Sequence, residues 1–262
     1  MEKNMKIETE PTGMEEEIGR IIEKELEALG RQDLFRKALV GFSSAKDEKY
    51  GELKKLIGEW HLSPAELLPD AESVISYFVP FTKPVFSEPK TLEGGSPLWG
   101  EAYQVINSYF EHINEAIVKY LIGMGYSAKT IPATHTYNPK DMKSMWSHRS
   151  GAAIAGLGTF GANRLLITEK GSAGRFCTVI TSAPLKPGKR PEENRCLYLK
   201  NGSCGLCFRI CPVHAIAPGA MEKFSCQAEL FRNEEGLRKN AGLDSADICG
   251  KCISVCPLAY ME

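Results

Sequence analysis

Two cysteine runs near the end of the sequence hold the residues best suited to chemistry. The first is Cys204-x2-Cys207-x3-Cys211-Pro212 and the second is Cys249-x2-Cys252-x3-Cys256-Pro257. A close pair of thiols, a third one helical turn later and then a proline is the ligand spacing of [4Fe–4S] clusters. Two such runs point to two clusters, and two clusters point to electron transfer.

The cysteine count agrees with that chemistry. A [4Fe–4S] cluster takes four thiolates, so two clusters need eight. The chain has nine cysteines, and eight fall between Cys196 and Cys256: Cys196, Cys204, Cys207, Cys211, Cys226, Cys249, Cys252 and Cys256. In the ferredoxin rule the cysteine before the proline ligates the other cluster. One set would then be Cys196, Cys204, Cys207 and Cys256, and the other Cys211, Cys226, Cys249 and Cys252, with Cys196 and Cys226 as outlying members. Paired C-x2-C runs also hold zinc in four-cysteine sites. Zinc, however, gives no reason for the repeated x3-C-P extension, and iron–sulfur is the reading adopted. Cys177, alone in the strand pattern FCTVIT, reads as a small buried hydrophobe.

The bulk composition sets the context. Hydrophobic residues make up 43% and charged residues 25%, as in ordinary globular proteins. Net charge is −1, from 32 basic and 33 acidic side chains, which leaves no electrostatic footprint for nucleic acid. The opening MEKNMKIETEPTG has neither an apolar core nor a twin arginine, so a secretory signal is not expected. No apolar stretch is long enough for a bilayer. A cytoplasmic, reducing setting with no membrane partner is the expectation, and there cysteines serve as metal ligands.

Interleaved helices and strands must position these residues. Residues 14–30 carry Ile18, Ile21, Ile22, Leu26 and Leu29 at helical spacing, with Gly30 as C-cap. Strands are expected at 38–42, 73–81, 164–168 and 177–181, a loop at 82–98, and a long helix at 101–125. The order favours an α/β or α+β layered domain over residues 1–190. Pro184, Pro187 and Pro191 suggest a linker, and 191–262 reads as a short, weakly periodic module held by its clusters.

Gly156-Leu157-Gly158-Thr159-Phe160-Gly161 matches G-x-G-x-x-G letter for letter. A dinucleotide fingerprint needs a strand before the glycines, a helix after them and an acid about 20 residues on. Here SGAAIA before reads helical, NRLLIT after reads as a strand, and Thr181 stands where the acid belongs. NAD and FAD are therefore rejected. The glycines read either as a close approach of backbone to a bulky ligand or as a tight helix-to-strand turn.

The segment RSGAAIAGLGTFGANRLLIT, from Arg149 to Thr168, with GSAGRFCTVITSAPL after it, resembles the corrinoid-binding core of epoxyqueuosine reductases and reductive dehalogenases. Both families share the AGLG-x-x-G turn, the Leu/Ile-rich strand and two following cluster runs with outlying cysteines. The resemblance spans roughly residues 95–262. It implies a nitroreductase-like corrinoid-binding domain followed by a ferredoxin-like domain with two [4Fe–4S] clusters, and a base-off cobalamin as second cofactor. The corrinoid contacts it implies are Arg149, Ser150, Gly151, Gly156, Leu157, Gly158, Gly161, Asn163 and Thr168. Where epoxyqueuosine reductases carry an Arg-Gly-x-Asp-Tyr-His type signature, this chain has Trp99-Gly100-Glu101-Ala102-Tyr103-Gln104. The acid is replaced by Ala102, so epoxyqueuosine is not the expected substrate, and without a twin-arginine leader neither is respiratory dehalogenation.

A reduction also needs a proton source. Tyr103 is the first candidate and Glu101 the second. His135 and Tyr137 could line a pocket, and His148 precedes the small-residue helix. His214 is assigned packing or a hydrogen bond near a cluster, not ligation. The expectation is an oxygen-sensitive oxidoreductase drawing electrons from a low-potential donor such as ferredoxin or flavodoxin and passing them to a small organic substrate. The alternative is an electron-transfer protein or reductive activator of a partner corrinoid protein.

Overall fold

The computed structural model describes residues 13–132, 137–138 and 140–262. In chain order the first part has α1 (Met14–Leu29), β1 (Leu39–Ser44), α2 (Glu48–Ile57), α3 (Pro64–Leu67), β2 (Ser73–Pro80), α4 (Lys83–Ser87), α5 (Pro97–Gly123), β3 (Ala128–Thr130), β4 (Tyr137–Asn138), β5 (Lys143–Ser144), α6 (His148–Ile154), β6 (Gly158–Phe160), β7 (Leu166–Thr168) and β8 (Gly174–Thr181). The central sheet runs β1-β2-β8-β3, and every pairing in it is antiparallel. A mixed α/β fold is borne out, in its antiparallel form.

Alternation along the two central strands explains the layers. On one face Ile75, Tyr77 and Val79 of β2 join Cys177 and Val179 of β8. They pack on Ile18, Ile22 and Leu26 of α1 and on Ile106, Phe110, Ile113 and Ile117 of α5. On the other face Val74 and Ile180 meet Tyr50, Trp146 and Ile154, while Phe78 and Phe176 meet Ala152 and Leu166. β2 is buried along its whole length, so both of its faces are apolar.

The long helix begins where its capping chemistry dictates. Ser96 caps it by accepting from the Trp99 amide at 3.1 Å, and Pro97 occupies the first helical position. Glu88 binds the Ser96 hydroxyl and the Leu98 amide. The helix therefore starts inside the expected loop, which itself contains α4 and a 3-10 turn at Glu88–Lys90.

The later part has α7 (Leu197–Asn201), α8 (Leu206–Ile210), β9 (Ile216–Ala217), β10 (Ala220–Met221), α9 (Lys223–Ala241) and α10 (Lys251–Ser254). α9 corrects the expectation of a weakly periodic segment: its buried residues are Glu229, Asn233 and Leu237, only one of them apolar. Leu237, Ala246 and Ile248 join the main core. The proline-rich segment 182–191 is not a free linker. The Gly188 amide donates to the Phe42 carbonyl at 2.8 Å, and Lys186 N to Glu15 at 2.7 Å. Arg190 pairs with Asp47 at 2.6 Å. The segment is a strap against the edge strand β1 and α1.

The C-terminal stretch is tied back as well. Arg36 donates to three carbonyls, those of Phe81, Met261 and Lys170, and its guanidinium lies 4.2 Å from the centre of the Tyr260 ring. The amides of Ser172 and Ala173 both donate to the Ala259 carbonyl.

Candidate functional site

The eight thiols converge as two groups of four. α8 carries Cys207 and α10 carries Cys252, each on a single helical turn. Cys204 and Cys249 precede these turns, and Cys211 and Cys256 follow them. Cys196, Cys204, Cys207 and Cys256 line one cavity, together with Asn163, Ile167 and Leu197. Cys226, on the first turn of α9, packs with Cys252 against Cys211 and Ala215.

Electrostatics draws the same division. Burial pushes the Cys256 thiol up to about 11, and its thiol neighbours are Cys196, Cys204 and Cys207. Burial likewise pushes Cys226 up to about 11, with Cys249 and Cys211 as its thiol neighbours. Cys252 is raised most strongly, by burial first and then by Cys249 and Cys226, with Cys207 and Cys211 further contributors. Thiols so reluctant to ionise alone become thiolates when a cationic centre offsets the charge. Among the described residues no preformed site of three or more His, Cys, Asp or Glu side chains for a single metal ion is found. Two fours of partly buried thiols are a donor set that suits iron–sulfur cubes.

Backbone conformation aims one hydrogen bond at sulfur. His214 has φ of +50°, and the turn it makes brings the Ala215 amide to the Cys211 sulfur at 3.2 Å. His214 itself is exposed, not packed as expected. Cys177 is wholly buried, with the Asn114 amide 3.4 Å from its sulfur, well inside the core.

The residues expected to hold a corrinoid divide into two classes. Gly156 has φ of +86°, and a Cβ there would meet the Lys189 carbonyl of the strap at 2.4 Å. A Cβ on Gly158 would meet the Ile167 carbonyl across the β6–β7 hairpin at 2.3 Å. The fold requires both glycines for its own backbone, with or without a ligand. Gly161 and Gly151 face Asn163 and Thr178 at 3.0 and 3.2 Å. Leu157 packs against Gly41 on β1, and Thr168 is buried with its hydroxyl donating to the Gly171 carbonyl. Ser150 donates to Ser147 at the start of α6.

Arg149 and Asn163 stand differently. Arg149 is exposed, yet loss of hydration is the first cause lowering its pKa. A side chain with both properties stands in a recess ringed by protein. Its Nη1 donates to the Arg164 carbonyl at 3.2 Å, and the neighbouring Asn163 donates its amide to the Cys252 carbonyl at 3.3 Å. Arg175 is close enough to lower the pKa of both Arg149 and His148. The recess is thus bounded by the start of α6, the β6–β7 loop, the start of β8 and the second group of thiols.

Tyr103 stands beside Arg175. Its ring lies 4.5 Å below the Arg175 guanidinium, whose Nε donates to Asn107 at 3.0 Å. Burial first, and the Asp247 carboxylate to which it hydrogen-bonds, push its phenol up to about 12. Glu101 is not brought to Tyr103: it pairs with Arg31 at 2.7 Å near the surface. His148 is held as a neutral imidazole. Thr178 Oγ1 accepts from Trp146 Nε1 at 2.9 Å and bonds His148 Nδ1 at 2.8 Å, leaving Nε2 to donate to the Pro132 carbonyl at 3.2 Å. Tyr137 accepts from Gln227 of α9 at 2.7 Å, and His135 lies outside the described residues.

Sequence reasoning missed Arg175 and Asp247. Arg175 did carry a signal, as the one charge in the otherwise apolar strand GRFCTVIT. Asp247, two residues before Cys249, carried none.

No protein-family model matches this sequence, and no curated protein matches it. Solved structures do. The epoxyqueuosine reductase of Bacillus subtilis is 19% identical with a TM-score of 0.55, over 92% of this chain and 66% of that one. An epoxyqueuosine reductase bound to an epoxyqueuosine-modified tRNA stem loop is 20% identical with a TM-score of 0.58, over 95% of this chain and 68% of that one. A catabolic reductive dehalogenase in complex with 3-bromo-4-hydroxybenzoic acid is 15% identical with a TM-score of 0.53, over 84% of this chain and 29% of that one. The chain spans about two thirds of the length of these epoxyqueuosine reductases and less than a third of the dehalogenase. The resemblance read from the motif is borne out at the level of the fold. Among the described residues no helix is long and apolar enough to cross a membrane.

Proposed function

We propose that this chain is an iron–sulfur oxidoreductase. It would take electrons one at a time from a low-potential donor and pass them through two [4Fe–4S] clusters to a reducible small molecule at the recess beside Arg149. One observation carries the reading: eight thiols gather in two fours, and Cys256 joins Cys196, Cys204 and Cys207 across the sequence. The reductase fold of the structural neighbours supports the same conclusion. We assign residues 1–190 to the reductive site and 191–262 to the clusters.

Asn163 lines the cavity of the first thiol group and also donates to the Cys252 carbonyl of the second, so the recess adjoins both. Electrons would enter beside the first group, where Leu199 and Leu206 are exposed, and leave at the recess. A corrinoid in the recess would supply a two-electron reductant. Gly156 and Gly158 are filled by the chain's own backbone, so Arg149, Ser150, Gly151, Gly161 and Asn163 are the residues left to hold it. Tyr103 stays protonated at neutral pH and is the proton donor in this reading, with Asp247 holding its hydroxyl.

Those filled glycines also favour a second reading, an electron-transfer protein that reduces a partner without a corrinoid of its own. Anaerobic purification with added hydroxocobalamin, followed by a spectrum and by iron and cobalt analysis, separates the two. About eight irons and one cobalt per chain supports the corrinoid reductase. Eight irons without cobalt leaves the electron-transfer protein, and a chain that holds no iron overturns both.

A further inference from the structure

We propose that the surface over the first group of thiols, centred on Leu199 and Leu206, is the docking face for an acidic ferredoxin-type electron carrier. The proposal rests on the two-cluster reading and adds to it the footprint and the charge of the donor.

Residues that face solvent here also wall the thiol cavity. Leu206 is 38% exposed and lines the cavity of Cys196, Cys204, Cys207 and Cys256. Leu199 is 51% exposed on α7, the short helix that starts directly after Cys196. Tyr198 of α7 and Phe208 of α8 meet edge to face, with ring centres 4.9 Å apart and an angle of 89° between their planes. That contact ties together the two helices that carry the exposed leucines, and Tyr198 lines the same cavity. Aliphatic side chains left in water at the rim of a cavity offer a partner apolar contact.

The charge around that platform is predominantly positive. A Cβ added to Gly205, which lines the cavity, would lie 3.4 Å from Arg209 Nη1 and 3.5 Å from the Phe208 ring, so the Arg209 guanidinium stands at the cavity rim. Arg209 is exposed, and among the described residues no carboxylate pairs with it. Arg195 and Lys200 line a groove that shares Leu197 and Leu258 with the cavity, and the Arg195 Nε is buried without a partner. Between Lys186 and His214 six side chains are basic and two are acidic, within a chain of net charge −1. Arg190 is taken by Asp47 and Lys200 by Glu193, which leaves Lys186, Lys189, Arg195 and Arg209 for a partner. The other exposed apolar pair, Phe224 and Phe231 of α9, has Glu222, Lys223, Arg232 and Glu235 beside it in sequence, and that mixture selects no sign of partner.

A carrier with carboxylates around its own cluster is drawn in by this field, and the leucines supply the short-range contact. Complementary charge of this kind acts mainly on the rate of encounter, and salt screens it. The transfer itself moves one electron: the carrier's reduced cluster is oxidised, and the cluster held by Cys196, Cys204, Cys207 and Cys256 is reduced. No bond forms or breaks and no proton moves. A small contact area suffices, because redox partners meet briefly and separate.

The test is anaerobic stopped-flow reduction of the full cluster-loaded chain, followed through the cluster absorbance. The reductants are a reduced acidic ferredoxin and, separately, reduced methyl viologen, which needs no docking. In Arg209→Glu the reduction by ferredoxin slows about tenfold at low salt, and in Leu199→Ala about threefold. Raising the salt from about 20 mM to about 300 mM slows the wild type and brings it close to Arg209→Glu. Methyl viologen reduces every variant at least as fast as wild type, and Phe231→Ala matches wild type with both reductants. Equal ferredoxin rates in wild type and Arg209→Glu, a wild-type rate that salt leaves unchanged, or a loss confined to Phe231→Ala would overturn the proposal. Arg209→Gln replaces the Glu variant if the latter does not hold its iron. A wild type reduced by viologen but not by ferredoxin overturns the docking face alone, whereas a wild type without iron overturns the two-cluster reading.

Discussion

The Arg175 guanidinium stacks over the Tyr103 ring at 4.5 Å and, through its Nε, grips Asn107 one turn further along the same helix. A strand and the long helix are thus joined by a cation–π contact and a hydrogen bond at the edge of the recess. Contacts of this kind contribute about 0.5–2 kcal/mol each. Arg175→Leu should destabilise the chain by about 1–3 kcal/mol in urea unfolding. In a double-mutant cycle with Tyr103→Leu the coupling should be about 1 kcal/mol. Strict additivity would mean that the stack contributes nothing.

The crossing of ligands between the two runs predicts an asymmetric pattern of iron loss. Cys256→Ser should reduce iron from about eight to about four per chain. Adding Cys204→Ser should cost no more, because both residues serve one cluster. Adding Cys249→Ser should remove the rest. If Cys256→Ser with Cys249→Ser keeps four irons, each run serves its own cluster.

Gly156 tests whether the glycine turn belongs to the fold or to a ligand. A methyl group there would strike the Lys189 carbonyl at 2.4 Å from a backbone with φ of +86°. Gly156→Ala should therefore lower the stability of the cobalt-free chain by roughly 2 kcal/mol or more. An unchanged melting temperature, with only corrinoid retention impaired, would return the glycine to a ligand role.

His148 gives the chain a defined acid sensitivity. Its pKa falls from 6.5 to about 4 on folding, first through loss of hydration. The unfolded chain binds the proton more readily, so stability is full above the ordinary histidine value and declines as pH falls from 6.5 toward 4. The loss should be about 1–3 kcal/mol. His148→Gln should flatten the dependence between about pH 7 and about pH 5, measured as urea midpoints. Parallel curves for the two proteins would show that the imidazole titrates normally.

How much was legible depends on where each residue's partners lie. The first helix, the buried strand 73–81 and the long helix were readable because Ile18, Ile22, Ile106 and Phe110 repeat at periods that burial on one face requires. The cysteine spacing was readable for the same local reason. Of the two readings of Gly156, the contact with the Lys189 carbonyl was not legible, because no local pattern reports it. α9 was missed because Glu229 and Asn233 occupy its buried face: Asn233 donates to the Ile248 carbonyl instead of packing on apolar surface. The pairing of Tyr103 with Arg175 and Asp247 joins three distant parts of the chain, and only folding reveals it.

The carbonyl clamp of Arg36 has a kinetic meaning. Together with the paired amides of Ser172 and Ala173 it sews the final residues into the main body, while the strap 182–191 fastens the near side. The cysteine-bearing part is therefore stitched to the main body at both of its ends. A tethered carrier that shuttles between docking positions is limited by how often it arrives. On the proposed reading the fold sets the spacing between the thiol groups and the recess, and the expected outcome is a transfer rate governed by distance and driving force and insensitive to solvent viscosity.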